Sequence, residues 1–328
     1  MRYYDFSSQA QSQRNRPISR RRVKTNSNVK LPLLLLLVSI LIPYLYSQFG
    51  TKNEMKSKSE TLAAKTDISA QETLKTDNSV ELDSIVKSSL QGTKGKYSVV
   101  IKNLATEELY MYREHERYQS GSLYKLWVMA EVCNQLQKGT LKEDQIVSQD
   151  ISALNTFFNI ASESAEMSEG EISLPVNQAM KQMITISHNY AALLLAQKVG
   201  LKNISEYISS HQYTESKIGS PPMTSAYDMF QFFDALYRGT VGNAEFNDVM
   251  IGLLKEQKLN NKLPRYLPEN IVVAHKTGEL GFVSHDAGIV YTSKGDYIIV
   301  VLTETSHPES AEERIADISK RVYLYFNE

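Results

Sequence analysis

The chain has 328 residues, 42 % of them apolar and 22 % charged. That profile fits one large globular domain or two modest ones and excludes collagen-like, low-complexity and multi-span membrane classes. A single cysteine, Cys133, excludes an internal disulfide framework, and a formal net charge of −1 argues against a whole-chain nucleic-acid binder. The charge is unevenly placed. Residues 1–30 hold eight Lys or Arg against one acid, a net of +7, and the remaining 28 basic and 36 acidic residues give −8.

In chain order, residues 1–30 read as a basic cytoplasmic tail. Residues 31–47 (LPLLLLLVSILIPYLYS) follow with 17 uncharged positions. As a helix they would span roughly 25 Å, close to the hydrocarbon thickness of a bilayer. Tyr44 and Tyr46 suit the interface, and the arginines from Arg14 to Arg22 should stay cytoplasmic, placing the rest of the chain outside. A cleaved signal peptide is the alternative, but Leu45-Tyr46-Ser47 makes a poor cleavage site. The reading is a single-pass anchor in the cell membrane, with the lipid bilayer as a partner. Residues 48–78, rich in Lys, Ser, Thr and Glu, cannot bury a core and read as a flexible linker. Residues 79–328 are left as the folded domain.

Within that domain, Asn78 is a good N-cap for a helix whose Leu82, Ile85, Val86 and Leu90 share one face. A hairpin pattern follows, with strands at Tyr97–Ile101 and Leu109–Tyr112. Ser122–Lys138 is apolar almost all round at its start and stops at Gly139, which predicts a buried helix. Helical runs are expected at 176–186, 190–199 and 226–238. Strands are expected at Ile271–Ala274, Phe282–Tyr291 and Tyr297–Thr303, and a last helix from Pro308 to Phe326. Strands at both ends with helices between predict an α/β (α+β two-lobe) fold: an antiparallel sheet built from both chain ends and flanked by helices, plus an all-helical lobe.

Three short motifs carry the chemistry. Ser122-Leu-Tyr-Lys125 opens the buried helix, and residues three apart share a helical face, so the amine is within reach of the hydroxyl. A serine needs a base to become a nucleophile, and a desolvated lysine can serve. Other Ser-x-x-Lys matches, at Ser27 and Ser84, lack that context. Ser187-His-Asn189 precedes an apolar helix, and Lys276-Thr-Gly278 comes directly after the predicted strand Ile271–Ala274.

In this order the three motifs resemble those of the penicillin-recognising serine hydrolases, and among them the class A β-lactamases. The similarity covers nearly all of residues 80–328. It implies a β-lactamase/D,D-peptidase-like fold, an acyl-serine intermediate and no cofactor or metal. By that resemblance Ser122 is the nucleophile, Lys125 its base or part of its proton relay, and Ser187 the donor to the leaving nitrogen. Asn189 would hold the substrate amide and fix Lys125. Lys276 and Thr277 would bind the substrate carboxylate, and Gly278 would leave room beside it. The N–H groups of Ser122 and Glu279 would form the oxyanion hole. The implied partner is a small β-lactam or a D-Ala-D-Ala-type peptide.

The departures are informative. Class A enzymes carry a Glu-x-x-Leu-Asn loop whose carboxylate activates the deacylating water. Here residues 201–227 run almost straight from a helix into Ser220-Pro-Pro-Met-Thr-Ser, so the loop looks deleted. Glu215 is an imperfect echo of it, with a solvated surface glutamate as the default. Loss of that carboxylate favours a D,D-carboxypeptidase or penicillin-binding type of enzyme; a cell-wall sensing domain is a third reading. His188 replaces the usual aspartate and leaves the pinning of its loop unexplained, and Glu279 is expected to repel an anionic substrate. Cys133 and His275 read as structural, and the scattered histidines do not form a zinc pattern.

Overall fold

The computed structural model describes residues 80–328. The basic tail, the apolar run at 31–47 and the linker lie outside the described residues. Among the described residues no helix is long and apolar enough to cross a membrane.

A helix over residues 80–90 leads into β1 (Lys96–Asn103) and β2 (Leu109–Tyr112). The chain returns to the same sheet only at β7 (Val272–Leu280), β8 (Val283–Tyr291) and β9 (Tyr297–Glu304). These five strands are antiparallel in the order β2-β1-β9-β8-β7, so the chain's two ends meet where β1 pairs with β9. The period-two alternation of the strands assigns the faces. Val99 and Ile101 of β1, with Ile299 and Val301 of β9, point to one side, where Leu82 and Val86 of the first helix and Ile315 and Ile318 of the last (Pro308–Asn327) cover them. Val100, Ile298, Val300 and Leu302 point to the other side and pack against the helical lobe.

The centre of that lobe is the helix Lys125–Gln137, in which every residue from Lys125 to Cys133 is buried. Trp127 lies at its heart against Tyr213 and Phe232, with ring centroids 4.6 and 5.2 Å away. Complete burial of such a side chain contributes about 2–3 kcal/mol. Around it pack Val176–Thr185, Asn189–Val199, Leu201–Ser210, Ala226–Tyr237 and Ala244–Lys255. Side-chain caps start several helices: Asp150 accepts from Ala153 N–H, Ser225 from Asp228 N–H and Asn243 from Phe246 N–H. Two small ribbons, β3 (Arg117–Gln119) with β6 (Met223–Ser225) and β4 (Ile146–Asp150) with β5 (Glu171–Pro175), complete the architecture.

Two boundaries differ from the sequence expectation. The first turn of the predicted Ser122 helix is a 3₁₀ turn, Gly121–Tyr124, and the α-helix begins at Lys125. The strand predicted to end at Ala274 continues through Lys276-Thr-Gly to Leu280, because pairing with β8 runs on to Leu280–Val283. The motif therefore lies inside a strand. Its polar residues hid the strand from a hydrophobicity pattern, yet Lys276, Thr277 and Gly278 are all buried.

Candidate active site

Ser122 sits where the sheet meets the lobe, and two glycines bring it there. Gly121, at φ +49°, adopts a left-handed conformation, and a Cβ on it would lie 2.8 Å from the Glu279 nitrogen. A Cβ on Gly278 would lie 2.7 Å from the Ser120 carbonyl oxygen and 2.9 Å from Leu123 Cγ. The 3₁₀ turn and β7 thus meet backbone to backbone, with Ser122 and Glu279 at one cleft mouth. His285 on β8 braces this contact. Its Nδ1 accepts from Thr303 N–H at 3.0 Å, so the remaining N–H, on Nε2, donates to the Gln119 carbonyl at 2.8 Å. Burial pushes its pKa down to about 4 and keeps it neutral.

The opposite wall is the turn between Val176–Thr185 and Asn189–Val199. Ser187 there has φ +57°, an uncommon left-handed conformation for a non-glycine residue. The turn is fixed by the His188 N–H and Ile186 N–H, both donating to Gln182 O. Lys125, fully buried, anchors this turn from beneath. Its Nζ donates to Ser187 O at 2.6 Å, Asn189 Oδ1 at 2.7 Å and Ser187 Oγ at 3.1 Å. Lys276 Nζ approaches the same Ser187 Oγ at 3.0 Å and donates to the Thr277 carbonyl at 2.9 Å.

The Ser187 hydroxyl therefore lies between two buried amines. Burial holds the Lys125 amine well below its usual range. The neighbouring Lys276 charge lowers it further, and Glu166 acts weakly in the other direction. Burial also lowers Lys276, to about 7, against the favourable pull of Asp286. Such a set can hold a proton on one amine and a lone pair on the other, with a hydroxyl between them as relay.

A cavity of about 460 Å³ opens over these groups, lined by Ser122, Ser187, Asn189, Thr277 and Glu279 among others. All eight sequence-predicted residues, Ser122, Lys125, Ser187, Asn189, Lys276, Thr277, Gly278 and Glu279, gather in or directly beneath it. Two expectations change. Glu279 does not present an unbalanced charge, because its Oε1 is held by the ammonium of Lys262, which is fully buried. His188 takes over the pinning role in question: its Nδ1 accepts from Ala191 N–H at 3.1 Å and caps the Asn189–Val199 helix.

Glu215 is turned away from the cavity. Its Oε1 meets His115 Nδ1 at 2.8 Å, and its backbone N–H donates to Asp228 Oδ2 at 2.9 Å. The short segment around it is stitched down by the reciprocal Lys217–Met223 backbone pair and by Tyr213 packed on Trp127.

Two residues were missed. Lys262 lies in a polar loop and carries no sequence signal. Glu166, in the loop before β5, places Oε1 2.6 Å from Asn189 Nδ2 and lines the cavity. It sits in an acidic, serine-rich stretch that reads as solvated surface.

The model of the Beta-lactamase enzyme family matches residues 81–326, and the chain belongs to that family. It is a class A β-lactamase-like serine hydrolase. A β-lactamase of Bacteroides uniformis is 25 % identical over 276 residues, covering 74 % of this chain and 90 % of that protein. A representative class A β-lactamase from Bacteroides cellulosilyticus superposes with a TM-score of 0.65 at 19 % identity, covering 76 % of this chain and 98 % of the other. A point variant of PBP-A, solved as an acyl-enzyme complex with penicillin G, also gives 0.65, at 17 % identity and 75 % and 95 % coverage.

Proposed function

We propose that the protein opens β-lactam amides by acylating Ser122. The observation that carries this reading is the Ser187 hydroxyl held at 3.1 and 3.0 Å between the Lys125 and Lys276 amines, in the cavity that Ser122 lines. In the neutral state Lys125 takes the Ser122 proton as the oxygen attacks the lactam carbonyl. The developing oxyanion meets the N–H groups of Ser122 and Glu279, which the glycine contacts bring to one mouth. As the C–N bond breaks, Ser187 gives its proton to the nitrogen and recovers one from the lysine pair. Asn189 Nδ2 holds the acyl amide carbonyl, and protonated Lys276 with Thr277 holds the substrate carboxylate.

One observation favours a long-lived acyl-enzyme, as in a penicillin-binding D,D-peptidase. The shortened segment at 211–222 sends no carboxylate into the cavity, and Glu215 faces His115. Water activation then falls to Lys125 and Ser187, groups already committed to one another. The uncharged run at 31–47 behind a basic tail supports a membrane anchor with the catalytic domain outside the cytoplasm.

Intact mass spectrometry of the full chain with benzylpenicillin tests the reading. A Ser122 adduct lasting minutes or longer is expected, and none in Ser122→Ala. Rapid consumption with return of free protein would retain the hydrolase and reject slow deacylation. Neither adduct nor turnover would overturn the proposal.

A further inference from the structure

We infer that the cavity has an apolar arm that takes a linear acyl chain attached directly to the carbonyl Ser122 attacks, which makes the protein an esterase toward medium-chain acyl esters. This rests on the reading of Ser122 as the nucleophile, and it requires neither a lactam ring nor an acyl amide. The arm follows the helix Asn189–Val199. Asn189, Leu193 and Ala196, spaced by four and three residues, share one face of that helix, and all three line the cavity. At a rise of about 1.5 Å per residue, this face carries the cavity roughly 10 Å along the helix. It runs away from the Asn189 end, where Lys125 and Ser187 sit.

The facing walls are apolar too. Phe158 and Ile160 come from the turn that ends the helix Ile151–Phe157, Leu201 opens the helix Leu201–Ser210, and Ile218 belongs to the short segment at 211–222. That segment borders the space without filling it, because the reciprocal Lys217–Met223 backbone pair closes residues 218–222 into a tight loop. The carboxylates of the lining are Glu166, held on Asn189 Nδ2, and Glu279, held by Lys262, so both belong to the polar end. At the mouth, Phe157, Met167 and Ile186 are exposed, and a chain meets apolar surface before it enters.

An arm of this length matches an extended alkyl chain of about six to eight carbons, at roughly 1.3 Å per carbon. The chemistry uses groups already in place. Ser122 Oγ bonds to the ester carbonyl carbon as its proton passes to Lys125, and the chain on that carbon lies in the arm. The carbonyl C–O bond then breaks and its electron pair leaves on the alkoxide or phenolate oxygen. Water later adds to the acyl carbon, the bond to Ser122 breaks, and the free carboxylic acid and the Ser122 hydroxyl are restored. Burial of the chain in the transition state raises kcat/KM with each methylene that the arm can hold.

A series of p-nitrophenyl esters with the full chain tests this: acetate, butyrate, hexanoate, octanoate and dodecanoate. The second-order rate of p-nitrophenolate release reads acylation alone, however slowly the acyl-enzyme turns over. It is expected to rise about 100-fold from acetate to octanoate, within the limit of about fourfold per methylene that full burial sets. It should then fall for dodecanoate and vanish throughout in Ser122→Ala. Ala196→Phe, which fills the far end of the arm, should move the optimum to butyrate. Leu193→Asn, close in volume, should flatten the series. A flat or falling series in the unmodified protein overturns the inference, as does a rising one that survives Ser122→Ala. A series still rising at dodecanoate, or unmoved in both arm variants, assigns the preference to the exposed lip and also overturns it. If benzylpenicillin labels Ser122 and no ester does, the β-lactam reading stands and this inference falls; if esters label it and benzylpenicillin does not, the reverse holds.

Discussion

The two walls of the cleft are built in different ways. On the sheet side, β7 and the 3₁₀ turn touch through backbone, with Gly121 and Gly278 at the contact and buried His285 behind it. On the lobe side the Ser187–Asn189 turn is held by side chains: Lys125 beneath it, the His188 cap beside it and Glu166 across it. A backbone contact tolerates no added atoms. A side-chain contact tolerates exchange where the donor or acceptor is kept. The difference predicts which wall breaks abruptly under substitution and which can be tuned.

The largest effect is expected from Gly278→Ala. The new Cβ would meet the Ser120 carbonyl at 2.7 Å, so the strand and the turn carrying Ser122 must separate. Overpacking of this kind costs about 1–3 kcal/mol, and moving Ser122 relative to Glu279 N–H should slow acylation by about 100-fold. Thermal unfolding together with the rate of penicillin labelling checks both. Wild-type labelling in this variant would show that the wall yields, and would remove the contrast.

A smaller effect is expected with pH. The Lys276 pKa lies at about 7 in the free protein. The ammonium is the form that binds a carboxylate, so it is present below that value and lost above it. The kcat/KM for acylation by a penicillin should fall as pH rises beyond about 7, approaching tenfold per unit. A penicillin methyl ester, which offers no carboxylate, should lack this alkaline limb. A flat profile to pH 9 for the free acid would mean that the charge at Lys276 is not what holds the carboxylate.

The two walls also differed in how much of them could be read from sequence. Ser122, Ser187 and Lys276 were visible because three short motifs in this order resemble those of a known enzyme family, and the apolar runs beside them predicted the supporting helix and strands. The sheet joining the chain's ends was visible for the same reason, through two sets of β-branched runs. The helices Leu201–Ser210 and Ala244–Lys255 were not, since their apolar stripes alternate with Lys, Glu and Asn. Glu166 was invisible for a different reason. It reaches Asn189 from 23 residues away through a loop without apolar periodicity, so only the fold makes the pair. Lys262 pairs with Glu279 in the same non-local way. The His188 cap did carry a signal: it stands three residues before Ala191, at the start of an apolar helix, the spacing an N-cap acceptor uses.

That cap gives the smallest and most discriminating test of the tunable wall. His188→Ala removes the acceptor for Ala191 N–H and should cost about 1 kcal/mol of stability. His188→Asp restores an acceptor and adds a negative charge at the helix N-terminus, so stability should return to the parent level or slightly above it. Activity should not follow. The imidazole at this position is kept neutral by burial and by Lys125, whereas an aspartate would place an anion close to the Lys125 amine and favour its ammonium. A larger share of Lys125 would then lack the lone pair that receives the Ser122 proton. The aspartate variant should therefore match wild type in thermal unfolding while its acylation optimum moves to higher pH. If stability and pH optimum both stay at the parent values, the charge at position 188 does not reach Lys125. The lobe wall would then be tuned through Lys125 and Glu166 alone.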